Sequence, residues 1–171
     1  MEKFVCKIDP KVIHDLNIQI SKNRIINWAP DYNDQAGISF DDLSYILDYW
    51  KNKFSWTNEE EKLNKFNQYV FQYDNVKTHF LHIKSNHKNS IPLLLIHGWP
   101  GSIFEFNDLI PLLTSPDKND LKDHLAFDLI IPSLPNVGFS FSPKQKPLDL
   151  NEISKHFMKL MKTLDYQKYF I

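Results

Sequence analysis

The sequence has little cysteine: Cys6 is the only one in 171 residues, so no internal disulfide can form. One thiol among scattered histidines also lacks the spacing of metal ligands, and we predict no metal site. An excess of one charge is missing as well, because 20 basic residues face 21 acidic ones without a long run of either. This balance argues against binding to nucleic acid or to an anionic membrane surface.

Long apolar runs are also missing. The first residues lack the apolar stretch of a signal peptide, and no run approaches the roughly 20 residues that span a bilayer. We therefore predict a cytoplasmic chain without a membrane span. Apolar residues nevertheless make up 42% and aromatic residues 14% of the sequence, which is too much for a disordered chain and enough for a buried core.

The first part of the chain has the apolar spacing of helices in three places. Asp9 is a suitable cap for a first helix, and Ser39 is a suitable cap for a second. Thr57 is predicted to cap a third helix in the same way. The stretch 28–37 contains turn-forming residues without periodicity and predicts an irregular loop. Residues 1–67 are therefore interpreted as a helical N-terminal arm.

The periodicity after residue 67 is that of an α/β fold. The predicted elements are a β-hairpin around Asp74-Asn75, buried strands at 92–96 and 127–131, an amphipathic helix at 150–164, and the start of a further strand at 169–171. Alternating elements of this kind indicate a sheet in which a hairpin is followed by parallel strands with covering helices. We assign this sheet to residues 68–171.

The most informative segment is His97-Gly98-Trp99-Pro100, which directly follows the first apolar strand. A strand that runs into a His-Gly turn and then into a helix capped by Ser102 can present backbone N–H groups to a cavity. Such preorganised donors are what an oxyanion hole requires, because they stabilise charge that develops only in the transition state. The alternative is a purely structural tight turn with a buried histidine.

A second segment with turn-forming residues follows the other buried strand. It reads Pro-Ser-Leu-Pro-Asn-Val-Gly-Phe-Ser and ends at Ser140. Because the active sites of open α/β sheets lie beyond the carboxyl ends of the strands, both segments stand where a site would be expected.

Both segments resemble those of epoxide hydrolases of the microsomal and juvenile hormone types, which belong to the α/β-hydrolases. The family has His-Gly-Trp-Pro-Gly-Ser at the first position and Pro-Ser-Leu-Pro-Gly-aromatic-Gly-x-Ser at the second. Similarity to the family also extends to Phe4 to Ile8, Trp28-Ala-Pro, Tyr45 to Trp50, Trp56, Leu63 to Phe66, His79 to His82, and Met158 to Tyr169. Since it covers essentially the whole chain, the resemblance implies an incomplete α/β-hydrolase sheet preceded by the family's N-terminal arm.

The resemblance assigns the oxyanion turn to His97–Pro100. It also implies that four residues shape a substrate pocket or its turn: Pro135, Val137, Gly138 and Ser140. Asn136 and Val137 depart from the family's glycine and aromatic residue. Asparagine tolerates a positive φ better than most residues, so we expect the turn to survive the first change. The second change removes a ring from the implied pocket.

The implied reaction is hydrolysis of a small hydrophobic epoxide to a vicinal diol through an aspartyl ester, without a cofactor. The family's nucleophile lies on a Gly-Gly-Asp-Trp-Gly elbow, whose glycines stand four positions apart. The four glycines of the chain, at 37, 98, 101 and 138, contain no such pair. We therefore expect the nucleophile, the acid, the histidine and two lid tyrosines beyond Ile171, and the chain alone to be inactive.

The remaining histidines offer no obvious substitute for the missing groups. We predict surface or loop positions for His14, His87, His124 and His156, and a packing role beneath the turn for His97. His79 and His82 are three residues apart on a strand, so their side chains should point to opposite faces.

Two other functions remain open. The chain could come from an α/β-hydrolase of different specificity, such as an esterase, a peptidase or a dehalogenase, or it could be a noncatalytic remnant or interaction module. A sheet that stops at its last strand leaves an unpaired edge and exposed apolar helix faces. We accordingly expect self-association or pairing with a C-terminal half, and poor solubility of the isolated chain.

Overall fold

The chain forms two units, residues 6–63 and residues 1–5 together with 64–171. The computed structural model describes residues 1–24, 37–116, 125–142 and 148–171. The predicted loop at 28–37 and His124 fall outside these residues, except for Gly37.

The unit 6–63 contains three helices: α1 at Pro10–Lys22, α2 at Phe40–Asn52 and α3 at Trp56–Leu63. Asp9 caps α1 by accepting a hydrogen bond from the Lys11 N–H, and Ser39 caps α2 by accepting one from the Asp42 N–H. Both predicted caps are therefore confirmed.

The prediction that Thr57 caps the third helix is wrong, because α3 begins earlier and Thr57 lies inside it. The Ser55 hydroxyl accepts from the Asn58 N–H at 3.4 Å and is the side chain at the start of the helix. The Glu60 carboxylate, one turn into α3, accepts from the Ile8 N–H at 2.8 Å and so ties α3 to the segment before α1.

The unit that contains residues 64–171 is built on a five-stranded sheet. The strands are β1 at Glu2–Phe4, β2 at Gln68–Tyr73, β3 at Val76–Ile83, β4 at Ile91–Leu94 and β5 at Phe127–Pro132. Their order is β1-β2-β3-β5-β4, and β4 and β5 are the parallel pair. The first strand was not predicted: residues 1–5 join the sheet by antiparallel pairing of β1 with β2.

The predicted hairpin is confirmed at β2 and β3. Tyr73 pairs with Val76, which leaves Asp74 and Asn75 as a two-residue turn with φ of 49° and 64°. Two consecutive left-handed residues define a type I′ turn, whose twist matches that of the strands, and Asp and Asn accept this conformation better than most residues.

The prediction that the strand at 92–96 is buried on both faces is wrong. The strand β4 is only half-buried, because it lies at the edge of the five-stranded sheet. Its outer side is bridged by Phe170, which pairs in parallel with Leu93. The last residues therefore do begin a further parallel strand beside β4, as predicted.

Helices flank the parallel strands. After β4, Ser102 and Glu105 form the predicted capping box for a short 3-10 helix at Ile103–Phe106, which is followed by α4 at Leu109–Thr114. The amphipathic helix is α5 at Leu150–Thr163, with Phe157, Leu160 and Met161 packed against Phe80 and Ile130 of the sheet. This cluster forms the core.

Two assignments on α5 need correction. His156, predicted on the surface, is buried, and its Nε2 lies 2.8 Å from the Thr78 hydroxyl of β3. Phe71 and Tyr73 contact its ring, so one polar partner on the sheet satisfies an otherwise apolar position. Leu150, predicted in the apolar stripe, is 84% exposed at the first turn of the helix.

The two leucines provide a test of this core. We expect Leu160→Ala, at a fully buried position, to lower the free energy of unfolding by about 2–5 kcal/mol through lost contacts and the cavity left behind. Leu150→Ala on the same helix should change it by less than about 0.5 kcal/mol. Urea denaturation followed by circular dichroism measures both values. Equal losses for the two variants would contradict the packing of α5.

Candidate active site

The two turn segments of the sequence meet at one end of the sheet. The strands β4 and β5 are parallel neighbours, with Leu94 paired to Ile130, so their carboxyl ends lie side by side. The first turn, His97–Pro100, follows β4, and the second turn, Ser133–Ser140, follows β5. This is the edge at which open α/β sheets bind their ligands.

His97 joins the first turn to the second. The residue is 3% exposed, and its Nε2 accepts a hydrogen bond from the Leu134 N–H at 3.1 Å. Its Nδ1 lies 2.9 Å from the Gly98 carbonyl oxygen, which can only accept. The two contacts together require a neutral ring with its proton on Nδ1. His97 was predicted to pack beneath the first turn, and it accepts a hydrogen bond there from the second turn.

The first turn leaves a backbone donor open. Within the described part of the chain, the Trp99 N–H has no hydrogen-bond partner, and the Trp99 side chain is 82% exposed. The Trp99–Pro100 peptide bond is cis. Gly98 borders open space, since no atom lies within 4 Å of the position that a Cβ would take. A negatively charged oxygen could therefore approach this backbone.

The second turn survives its departure from the family pattern. Asn136 has a φ of 61° and Gly138 a φ of 57°, so asparagine takes the left-handed conformation that we expected of it. The Asn136 side-chain oxygen also accepts from the Ser142 N–H at 2.8 Å. The Val137 N–H donates to the Leu134 carbonyl and so closes the turn.

An apolar cavity of about 360 Å³ lies beside these turns. The turn residues on its wall are His97 and Leu134. The sequence analysis did not predict Leu134 as a pocket residue. The other lining residues come from the end of β4, from the second residue after it, from α5 and from the end of the chain: Leu94, Ile96, Leu150, Ile153, Ser154, Phe157, Met158, Tyr169 and Ile171. A cavity of this size and lining suits a small hydrophobic molecule.

The predicted pocket residues lie near the cavity but do not line it. Pro135 and Val137 are half-buried, Gly138 is exposed and Ser140 is buried beneath the turn. The residues that do line it from α5 were predicted only as a core stripe. Their role depends on how close the helix comes to the end of β4, and no local pattern encodes that distance.

A buried histidine lies under the second turn. His79 Nδ1 lies 3.1 Å from the Ser133 hydroxyl, and its Nε2 lies 3.0 Å from the Gln68 side-chain oxygen. Burial lowers the pKa of His79 from its ordinary value of 6.5 to about 4. The ring is therefore neutral at physiological pH.

His82 points to the other face of β3, as predicted, and belongs to a different polar cluster. Its Nε2 lies 3.0 Å from the Tyr166 hydroxyl, which donates to Asp128 at 3.2 Å. Asp128 also accepts from the Ser85 N–H and the Ser90 hydroxyl, and ties the loop between β3 and β4 to the start of β5. No group of three or more possible metal ligands occurs among the described residues.

Comparison with known proteins identifies the family. The family model described as the epoxide hydrolase N terminus matches residues 1–106, which is more than half of the chain. The chain belongs to the epoxide hydrolase family. Among its described residues, no helix is both long and apolar enough to cross a bilayer.

Curated epoxide hydrolases match almost the whole chain. Epoxide hydrolase 1 of Sus scrofa is 33% identical over 172 residues, which cover 98% of this chain and 38% of that protein. Juvenile hormone epoxide hydrolase 1 of Ctenocephalides felis is 31% identical over 171 residues, covering 98% of this chain and 36% of that protein. The chain thus spans less than two-fifths of the length of these relatives.

Solved epoxide hydrolases have the same fold. The juvenile hormone epoxide hydrolase of the silkworm Bombyx mori superposes with a TM-score of 0.87 at 28% identity, covering 98% of this chain and 40% of that one. The epoxide hydrolase of Aspergillus niger gives 0.80 at 28% identity, covering 95% and 43%. The α/β-hydrolase fold predicted from the sequence is confirmed.

The neutral state of His79 predicts a stability that depends on pH. The folded state favours the neutral form of the His79 ring. The contribution of this preference to the free energy of unfolding is therefore complete above about pH 6.5 and is lost as the pH falls towards 4. We expect the free energy of unfolding, measured by urea denaturation, to fall over this window by up to about 3 kcal/mol from this group. Burial also lowers the pKa of His82 and His156, which adds to the loss.

The control for this prediction is a second histidine. His79→Gln should be less stable at pH 7 but should show a shallower fall between pH 6.5 and 4. His14→Gln, at an exposed position of α1, should keep the slope of the original chain. A His79→Gln variant with an unchanged slope would show that the buried ring does not govern this pH range.

Proposed function

We propose that these residues form the first part of an epoxide hydrolase active site, in which the Trp99 N–H stabilises an oxyanion. The observation that carries the proposal is this open donor at the carboxyl edge, in the turn that contributes His97 to the apolar cavity. The reaction is cofactor-free hydrolysis of a small hydrophobic epoxide to a vicinal diol.

In the proposed reaction this chain supplies the oxyanion donor, and the residues beyond Ile171 supply the nucleophile and the groups that transfer protons. A carboxylate opens the epoxide by attacking carbon, which breaks the C–O bond and gives an aspartyl ester, and the released epoxide oxygen takes a proton from an acidic group beyond Ile171, such as the lid tyrosines. A histidine beyond Ile171 takes a proton from water, which attacks the ester carbonyl, and negative charge develops on the carbonyl oxygen. Collapse of this intermediate breaks the ester bond, regenerates the carboxylate and releases the diol, whose oxygen receives the proton from the histidine. A preorganised backbone N–H in a site that excludes water stabilises this charge more than the ground state.

The pairing at the end of the chain supports this division. The Leu94 N–H donates to the Phe170 carbonyl and the Phe170 N–H donates to the Pro92 carbonyl, both at 2.9 Å. Since the strand that begins here is parallel to β4, residues after Ile171 would emerge at the same edge as the first turn. A nucleophile placed a few residues further on would stand beside the Trp99 N–H.

A noncatalytic module that pairs with another polypeptide is the second candidate function. It is favoured by the exposed apolar residues around the open edge, with Leu150 84%, Ile171 81% and Phe170 61% exposed. Self-association through this edge, or pairing with a C-terminal half, would cover them. An α/β-hydrolase of another specificity is less well supported, because the N-terminal residues match the epoxide hydrolase family. A cytoplasmic location stays a prediction.

The coding sequence beyond codon 171 separates the two functions. We expect it to continue into a Gly-Gly-Asp-Trp-Gly segment within a few codons, because the last strand leads towards the nucleophile. A stop codon after Ile171, together with a polypeptide mass near 20.3 kDa under denaturing conditions, would exclude catalysis by this chain alone and favour the noncatalytic module.

Variants at Trp99 test the oxyanion role in a chimaera in which these 171 residues precede the remainder of Sus scrofa epoxide hydrolase 1. Trp99→Pro removes the backbone N–H, whereas Trp99→Ala keeps it. We expect Trp99→Pro to lower kcat for styrene oxide by about 10²–10³-fold and Trp99→Ala to act mainly on KM.

The isolated chain and the relative itself serve as negative and positive controls. Circular dichroism establishes that each chimaera is folded. A folded, active chimaera in which both Trp99 variants lose the same activity would refute the role of the backbone donor, and a folded but inactive chimaera would refute the proposed function.

A further inference from the structure

His79 is a fully buried titratable residue that neither turn motif contains. It lies on β3 at 0% exposure. The rings of Phe4 and Phe139 contact its ring at centroid distances of 4.7 and 5.1 Å. A polar ring in such surroundings is stable only if its nitrogen atoms are hydrogen-bonded.

The neighbours of His79 define its tautomer. The Gln68 side-chain nitrogen donates to the Asn64 side-chain oxygen at 2.9 Å, so the Gln68 oxygen is the atom that faces His79 Nε2. An amide oxygen can only accept, and Nε2 therefore carries the proton. In the neutral ring Nδ1 is then an acceptor, and the Ser133 hydroxyl donates to it.

The backbone of His79 holds the second turn at both of its ends. The Ser133 N–H donates to the His79 carbonyl at 2.9 Å, and the His79 N–H donates to the Ser140 hydroxyl at 3.0 Å. The Ser140 hydroxyl in turn donates to the Ser133 carbonyl at 2.8 Å. His79 has four hydrogen-bonding groups: its N–H, its carbonyl and two ring nitrogens. All of them except Nε2 therefore form hydrogen bonds with Ser133 or Ser140.

The order Ser133–His79–Gln68 has the form of a nucleophile, a base and an orienting group. Its environment excludes that use, because Ser133 is only 1% exposed and neither it nor His79 lines the apolar cavity. The arrangement instead supports Leu134, which directly follows Ser133 and lies on the cavity wall beside His97. Its contribution is to geometry.

We propose that His79 is a positioning residue for the second turn: through Ser133 and Ser140 it holds Leu134 against His97 and so fixes one wall of the cavity. The consequence for catalysis rests on the proposed function. The hydrogen-bond geometry does not rest on the proposed function, because it can be measured without any substrate.

Nitrogen-15 spectra of histidine-labelled chain test the tautomer at pH 7. We expect Nε2 of His79 to carry the proton and Nδ1 to be an acceptor, whereas His97 should show the opposite tautomer. A His79 ring protonated on Nδ1 would make Ser133 the acceptor and would overturn the proposal. The same spectra can be recorded on the chimaera if the isolated chain precipitates.

Amide hydrogen exchange tests the positioning itself. Ser133→Ala removes one hydroxyl under the turn, and we expect it to speed exchange of the Leu134 and Val137 amides on the order of tenfold while the amides of α5 keep their rates. Ser142→Ala serves as the matched control, since it removes a buried hydroxyl that has no partner among the described residues. Equal acceleration in the turn and in α5 would reduce Ser133 to a general contribution to stability.

A pair of histidine variants separates the two sides of the ring. His79→Asn keeps an acceptor close to Nδ1, and His79→Gln keeps a group close to Nε2. Slow exchange of Leu134 should be partly restored in the Asn variant and lost in the Gln variant, and the reverse order would overturn the proposal. An inactive, folded chimaera with the expected tautomers would refute only the proposed function, whereas an active one with the wrong tautomer would refute only this inference.

Discussion

The hydrogen bond from the Leu134 N–H to His97 Nε2 is the contact on which the candidate site depends. It joins segments that lie 37 residues apart and that follow the paired strands β4 and β5. The Gly98 carbonyl faces Nδ1 of His97 and the Leu134 N–H faces Nε2, and only the neutral ring with its proton on Nδ1 satisfies both contacts. The site edge is thus defined by backbone groups and one imidazole, and not by a cluster of charges.

A second neutral imidazole supports the same turn from inside. His79 fastens Ser133 and Ser140, so the turn after β5 is held from the sheet and from the neighbouring turn together. Each ring accepts a hydrogen bond from this turn through one nitrogen, and that nitrogen must carry no proton. The two contacts leave the short turn little freedom, and this suits a wall that must keep its shape while chemistry proceeds beside it.

The errors of sequence interpretation have one physical origin. Ser55 rather than Thr57 contributes the hydroxyl at the start of α3, and a capping pattern alone does not choose between two neighbouring hydroxyl residues. The helix also has a distant partner, because Glu60 accepts from the Ile8 N–H. His156 is buried because Thr78, 78 residues away, supplies its partner. The strand β1 is too short for a detectable period, and its pairing with β2 alone makes it a strand.

The sequence by itself determined what neighbours along the chain decide: the caps Asp9 and Ser39, the turn Asp74-Asn75, the apolar period of α5 and the left-handed Asn136. These depend on local backbone sterics and on hydrogen bonds that span a few residues. Only the tertiary structure decided which faces are buried and how the two turns meet. Those outcomes depend on partners between 37 and 78 residues away, whose approach is set by packing of the whole sheet.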